Sequence, residues 1–174
     1  MTLFGIKFVG VNPENGHKLL LTTDQHELIL DYRVMEQPDD KEESIGVADR
    51  LLARCGAGHI QSLSFDKGFT REEDRQLLEL SIPEVIMPKR GKRNQAEQER
   101  EEKRSFRKLR NGHHAVELDI NCLEHHGLNR CPDKGLNGYK RYVGLGVLAY
   151  NLHEIGKQLL EKKCNEAAMQ CLSA

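Results

Sequence analysis

The chain has 174 residues, 30% of them charged, and a formal net charge of -1, so it can bury the core of one domain and is not a polybasic binder as a whole. Five cysteines at irregular spacings do not form a disulfide framework and suit a reducing compartment. No apolar run approaches the roughly 18 residues of a membrane span, and the start lacks a secretion-signal pattern, so a soluble intracellular protein without a membrane partner is predicted.

Leu3, Phe4, Ile6, Phe8, Val9 and Val11 predict a first strand weakened by Gly5 and Gly10. Asn12-Pro13-Glu14-Asn15-Gly16 is a turn. Residues 17–23 and 27–35 read as two strands joined at Asp24-Gln25-His26, a hairpin without the favoured Asn-Gly or Asp-Gly pair. After a polar loop over 36–43, Ser44 is the expected N-cap of a helix whose apolar positions are Ile45, Val47, Ala48, Leu51, Leu52 and Cys55. Gly56 and Gly58 end it.

Residues 60–65 form an apolar strand that delivers Asp66 into the turn Lys67-Gly68-Phe69. Thr70 then opens a helix with Glu73 as capping-box partner, Leu77, Leu78 and Leu80 as its apolar face and Pro83 as its stop. Residues 84–87 make one more short strand before Pro88-Lys89-Arg90-Gly91. From 91 to 110 nearly every residue is charged. Such a stretch is a solvated helix laced by i,i+4 pairs, a linker, or a flank that follows a phosphate backbone.

Residues 114–126 regain helical order, with Val116, Ile120 and Leu123 on one stripe, Glu117 at its edge and Gly127 as the stop. The last helix starts near Leu136 or Tyr139. Its Leu145, Leu148, Leu152, Ile155 and Leu159 are expected to pack on the sheet or the preceding helix, and residues 163–174 are expected to fray as a disordered tail. The order of elements predicts an α/β domain with a central mixed sheet flanked by helices. No GxGxxG or GxxxxGK[ST] is present, which disfavours a nucleotide cradle.

Asp66 at a strand end and Glu117 on a helix are carboxylates of the type that divalent ions need for phosphodiester chemistry. The ordered series Gly16-His17-Lys18-Leu19-Leu20-Leu21-Thr22-Thr23-Asp24, Asp31-Tyr32-Arg33-Val34-Met35 and Ser64-Phe65-Asp66-Lys67-Gly68-Phe69 opens a resemblance. It continues through Val85-Ile86-Met87-Pro88-Lys89-Arg90-Gly91-Lys92 and His114-Ala115-Val116-Glu117. It ends with Gly127-Leu128-Asn129-Arg130-Cys131 and Tyr142-Val143-Gly144-Leu145-Gly146-Val147-Leu148-Ala149-Tyr150-Asn151-Leu152. From about residue 16 to 158 the chain resembles the C-terminal part of bacterial insertion-sequence transposases of the Asp-Asp-Glu class.

The resemblance implies an RNase H-like catalytic domain over 16–162, with 1–15 as an atypical N-terminal segment and the charged stretch 91–110 inside it. It also implies Asp66 and Glu117 as the second and third catalytic and metal-holding carboxylates, Mg²⁺ or Mn²⁺ as cofactor, and strand cleavage and transfer as the reaction. Lys67, Lys89, Arg90, Lys92, Arg93, His114 and Arg130 would contact DNA in a bacterial, nucleoid-associated cytoplasmic setting. Homo-oligomers or pairing with an intact transposase would be its protein partners.

Two departures matter. Such families carry a first catalytic Asp on the opening strand, whereas residues 3–12 contain none; Asp24 at a turn and Asp31 inside a strand do not replace it. The expectation is therefore a fragment truncated at the first strand, weakly active or inactive in cleavage, or a DNA-binding remnant. Many relatives also carry Tyr-x2-Arg-x3-Glu-x6-Lys around the Glu, where this chain has His113 at the Arg place and Glu124 at the Lys place. A rival cluster, Cys122, His125, His126 and Cys131, has ligand types suited to zinc, but adjacent histidines point to different sides of a helix.

Overall fold

The computed structural model describes residues 2–10, 18–36, 43–56, 58–67, 69, 71–112, 116, 120–128 and 131–172, and of residues 3–10, 126, 127 and 172 the backbone alone. The expected turn at 12–16 and most of the loop at 36–43 lie outside the described residues.

Strands buried on both faces form the middle of the sheet, as the burial of successive residues over Lys18–Asp24 and Ser62–Phe65 shows. Strand β1, Thr2–Gly10, lies between β2, Lys18–Asp24, and β4, Ser62–Phe65; β3, Ile29–Val34, and β5, Glu84–Ile86, close the two sides. The order is β3-β2-β1-β4-β5, with β1–β2 and β2–β3 antiparallel and β1–β4 and β4–β5 parallel. A five-stranded mixed sheet flanked by helices is thus the architecture. Residues 2–10, within the segment 1–15, are its middle strand. Gly5 falls where the register shifts between Phe4 and Ile6, so the weakening expected at this glycine is an irregularity of the β-bulge kind.

The β2–β3 hairpin forms without a favoured dipeptide because Asp24 supplies the turn itself. Its Oδ1 accepts the N–H groups of His26 at 2.8 Å and Leu28 at 3.0 Å, and Glu27 takes the left-handed conformation at φ 63°.

Each face of the sheet carries its own core. Leu20, Leu63, Phe65, Val85 and Met87 pack under helix α1, Glu43–Cys55, and helix α2, Glu72–Glu79, through Val47, Ala48, Leu51 and Leu78. Leu19, Leu21 and Val34 point the other way, as period-two alternation requires, and meet Val116, Ile120, Leu123 and the long helix. Val116, Ile120 and Leu123 are buried as one stripe, as their spacing predicts. That helical stretch continues into a π-helical turn, Glu124–Leu128, so the backbone does not stop at Gly127.

Helix starts differ from expectation. Ser44 lies inside the first turn of α1, where its hydroxyl donates to Asp74 Oδ2 at 2.6 Å and ties α1 to α2 instead of capping. Helix α2 begins at Glu72 behind Arg71, which makes no side-chain cap; Thr70 lies outside the described residues. The capping box occurs at the charged stretch instead. Asn94 Oδ1 accepts from Glu97 N, and Glu97 Oε2 accepts from Asn94 N, each at 2.8 Å. This opens α3, Gln95–Glu102, and after Lys103 the chain turns into α4, Arg104–Asn111, whose Phe106 and Leu109 cover Ile86.

Apolar faces differ too. Only Leu78 of the expected α2 face is buried; Leu77 and Leu80 are exposed. In α5, Gly135–Leu172, the buried stripe is Tyr139, Val143, Val147 and Tyr150. The expected packing stripe, Leu145 to Leu159, faces outward. The helix also continues through 163–172 rather than fraying. Among the described residues no helix is long and apolar enough to cross a membrane.

Candidate nucleic-acid-facing edge

Parallel pairing of β4 with β1 and β5 brings the C-terminal ends of all three strands to one edge of the sheet. Asp66 follows β4 there, half-buried. Its Oδ1 accepts the Lys67 N–H at 2.7 Å and its carbonyl accepts the Phe69 N–H at 3.2 Å, so the residue shapes a tight turn. Phe69 folds back on Phe65 with ring centroids 5.6 Å apart, which pins that turn to the core.

β1 contributes no carboxylate to this edge. Its register pairs Ile6 with Phe65, so the next residue, Lys7, stands at the position beside Asp66. The first strand is therefore present and a lysine occupies the nearest register position. Asp24 and Asp31 are engaged elsewhere: Asp24 builds the hairpin at the opposite edge, and Asp31 is buried on β3. Asp31 Oδ2 accepts from Arg50 Nε at 3.0 Å and Nη2 at 2.9 Å, and its Oδ1 lies 2.9 Å from Arg54 Nη1.

The cations expected to meet DNA divide into two sets. Lys67, which follows β4, and Arg90 and Lys92, which follow β5, are exposed. Lys89 and Arg93 instead hold α3 against the sheet. Lys89 Nζ lies 2.7 Å from Glu97, which keeps that carboxyl below its usual range, and Arg93 Nε lies 2.8 Å from the buried Glu101. Glu101 Oε1 also accepts the Lys89 N–H at 3.1 Å, so one buried carboxylate organises the backbone leaving β5. His114 and Arg130 lie outside the described residues, as does Glu117.

Sequence reasoning missed a small polar cleft of about 130 Å³ at this same edge, lined by Arg71, Arg75, Arg100 and Lys89 with Glu72 and Glu97. Arg75 binds both Glu72 and Glu79 on its own helix, and this hydrogen bonding lowers the Glu72 pKa. The i,i+3 and i,i+4 spacings predict those pairs, but the approach of Arg100 from α3, 3.7 Å from Glu72, depends on tertiary packing.

Of the carboxylates the resemblance assigns to a metal, the described residues contain Asp66 alone. Among them no group of three or more His, Cys, Asp or Glu stands close enough to hold an ion. A two-ion centre needs several converging carboxylates, and of the two assigned to it Asp66 is described while Glu117 lies outside the described residues. At the zinc candidates, Cys122 and His125 are exposed, while the Cys131 thiol lies 3.6 Å from the Asp133 carbonyl; the side chain of His126 is outside the described residues. No protein-family model matches the chain, and no curated protein matches it.

Proposed function

We propose that this chain is an RNase H-like domain of the kind found in insertion-sequence transposases of the Asp-Asp-Glu class. In this reading it binds DNA along the C-terminal edge of its sheet and does not cleave DNA unaided. The observation that carries it is a mixed β3-β2-β1-β4-β5 sheet whose parallel strands β4 and β5 run toward one edge, with Asp66 and the exposed Lys67 following β4, the exposed Arg90 and Lys92 following β5, and no carboxylate in β1. The ordered motifs from Gly16 to Leu152 supply the family; the sheet supplies a scaffold consistent with it.

The chemistry follows from the charges. Lys67, Arg90 and Lys92 attract phosphates and release counterions, whereas Lys89 and Arg93 are committed to Glu97 and Glu101 and shape the edge. With no carboxylate in β1, Asp66 and Glu117 are the two carboxylates left to hold a Mg²⁺ or Mn²⁺ ion, and no cleavage step is assigned to it.

The test is DNA affinity measured against salt. Three phosphate contacts give a log–log slope of about -2.7 for duplex DNA, and replacing Lys67, Arg90 and Lys92 with Ala flattens it. A flat slope for the unaltered chain overturns the DNA reading. In a parallel assay with Mg²⁺ or Mn²⁺ and element-end DNA, no cleavage is expected. Robust cleavage that Asp66→Asn abolishes would overturn the claim of incompetence and restore the enzyme reading.

A further inference from the structure

The outward stripe of α5 has a spacing that core packing does not require. Leu145, Leu148, Leu152, Ile155 and Leu159 follow one another at three, four, three and four residues, the a/d repeat of a helix seam, and they are 66%, 55%, 61%, 43% and 55% exposed. Their neighbours along the seam, Ala149, Asn151, Gly156 and Gln158, carry no charge. Nothing on these flanks repels a second copy or selects a charged partner.

We propose that this stripe is the seam of an antiparallel homodimer, with α5 of one copy lying along α5 of another. Two observations choose the occupant and the direction. At their observed exposures the four leucines and one isoleucine present roughly 500 Å² per copy, or about 1,000 Å² in a symmetric pair, which is where specific interfaces begin. The seam positions that follow and precede the apolar run are charged: Arg141 before it, Lys162 and Glu166 after it.

A parallel, in-register pair sets Arg141, Lys162 and Glu166 each against its own copy, three like-charge layers. An antiparallel pair centred between Leu152 and Ile155 sets Leu152 against Ile155, Leu148 against Leu159 and Leu145 against Lys162. It also sets Arg141 of each copy against Glu166 of the other, so both ends of the apolar run close on opposite charges. The Arg141 guanidinium is 76% exposed, and its ion pair with the exposed Asp133, at 3.5 Å, is a surface contact of little cost to exchange. At ~1.5 Å per residue the helix is long enough for the whole seam, because α5 runs unbroken from Gly135 to Leu172. The inference does not depend on the DNA reading.

Sedimentation equilibrium of the 174-residue chain tests it. The unaltered chain is expected to dimerise, and Leu152→Glu to raise the dissociation constant by about 100-fold while leaving the far-ultraviolet circular dichroism unchanged. Leu160→Glu, on an exposed leucine beside the seam, leaves the dimer intact. Glu166→Arg weakens it by roughly 10-fold, and adding Arg141→Glu restores it. A monomer at every concentration, or a dimer indifferent to Leu152→Glu, overturns the proposal. Failure of the double charge swap to restore association overturns the antiparallel arrangement, and a monomer that binds anionic vesicles through the stripe assigns the face to a lipid surface instead.

Discussion

A phenol that is 1% exposed, as Tyr139 is, ionises only by placing a charge in the core. Burial, and secondarily the neighbouring Cys131, pushes its pKa up to about 12 from an ordinary value of 10.0. The folded value lies above the unfolded one, so the stability linked to this proton is complete below pH 10 and is lost as pH rises toward 12. Urea unfolding is expected to show a loss of about 2–3 kcal/mol across that window, and Tyr139→Phe to lose less over the same range. Equal slopes in both proteins would remove Tyr139 from the account. The same scale shows why Asp31 could be seen in the sequence but not understood there: Arg50 and Arg54 are one helical turn apart, yet only the packing of α1 on β3 sets both guanidinium groups over one buried carboxylate. Asp66 is the reverse case. Its place after an apolar strand was legible, while the partner of its carboxylate was not, because the Lys67 N–H becomes available only once the turn has formed.

At the scale of elements, α5 carries two apolar stripes, and the sequence does not say which one meets the sheet. Polar anchors choose between them. Asn151 accepts the Ile29 N–H and donates to the Ile29 carbonyl, both at 2.9 Å, and Gln158 donates to the His26 carbonyl at 2.7 Å, so the hairpin holds one face of the helix. Gly144 and Gly146 then lie under Tyr32 and Leu128. A Cβ on Gly146 would stand 2.2 Å from Leu128 Cδ1, whose side chain is itself buried, whereas one on Gly156 meets nothing within 4 Å. Gly156→Ala is expected to stabilise by up to about 1 kcal/mol through helix propensity. Gly146→Ala should destabilise by about 1–2 kcal/mol through overpacking, read as the shift in urea midpoint. If both glycines respond alike, close approach is not what keeps Gly146. Propensity and capping signals placed α1, β2, β3, β4 and β5 within a few residues. They misplaced the start of α2 because Arg71, not Thr70, stands at its boundary, and they missed the Asn94 box because a charged run hides a cap.

For the whole molecule, the sheet separates two cores, and the second of these depends on α5 for Tyr139, Val143, Val147 and Tyr150, a third of its buried residues. A dimer through the outer face of α5 therefore stabilises the element that closes that core. The thermal midpoint is expected to rise by about 2–4 °C for each tenfold rise in protein concentration, and the rise should vanish in Leu152→Glu. A midpoint independent of concentration would mean that the outer face is not an interface in solution.

The sequence by itself determined the apolar residues that make β2 and β4 strands, the arrival of Asp66 at a strand end, the absence of any carboxylate in residues 3–12, and the heptad spacing of α5. These are properties of adjacent residues, which local periodicity expresses directly. Tertiary structure alone decided that residues 2–10 are the middle strand, that Lys7 takes the register position beside Asp66, that Lys89 and Arg93 pair with α3, and that the heptad stripe faces outward. Each of those depends on which distant segments share a surface, and competition among hydrogen bonds, ion pairs and close packing settles that only when the chain is folded.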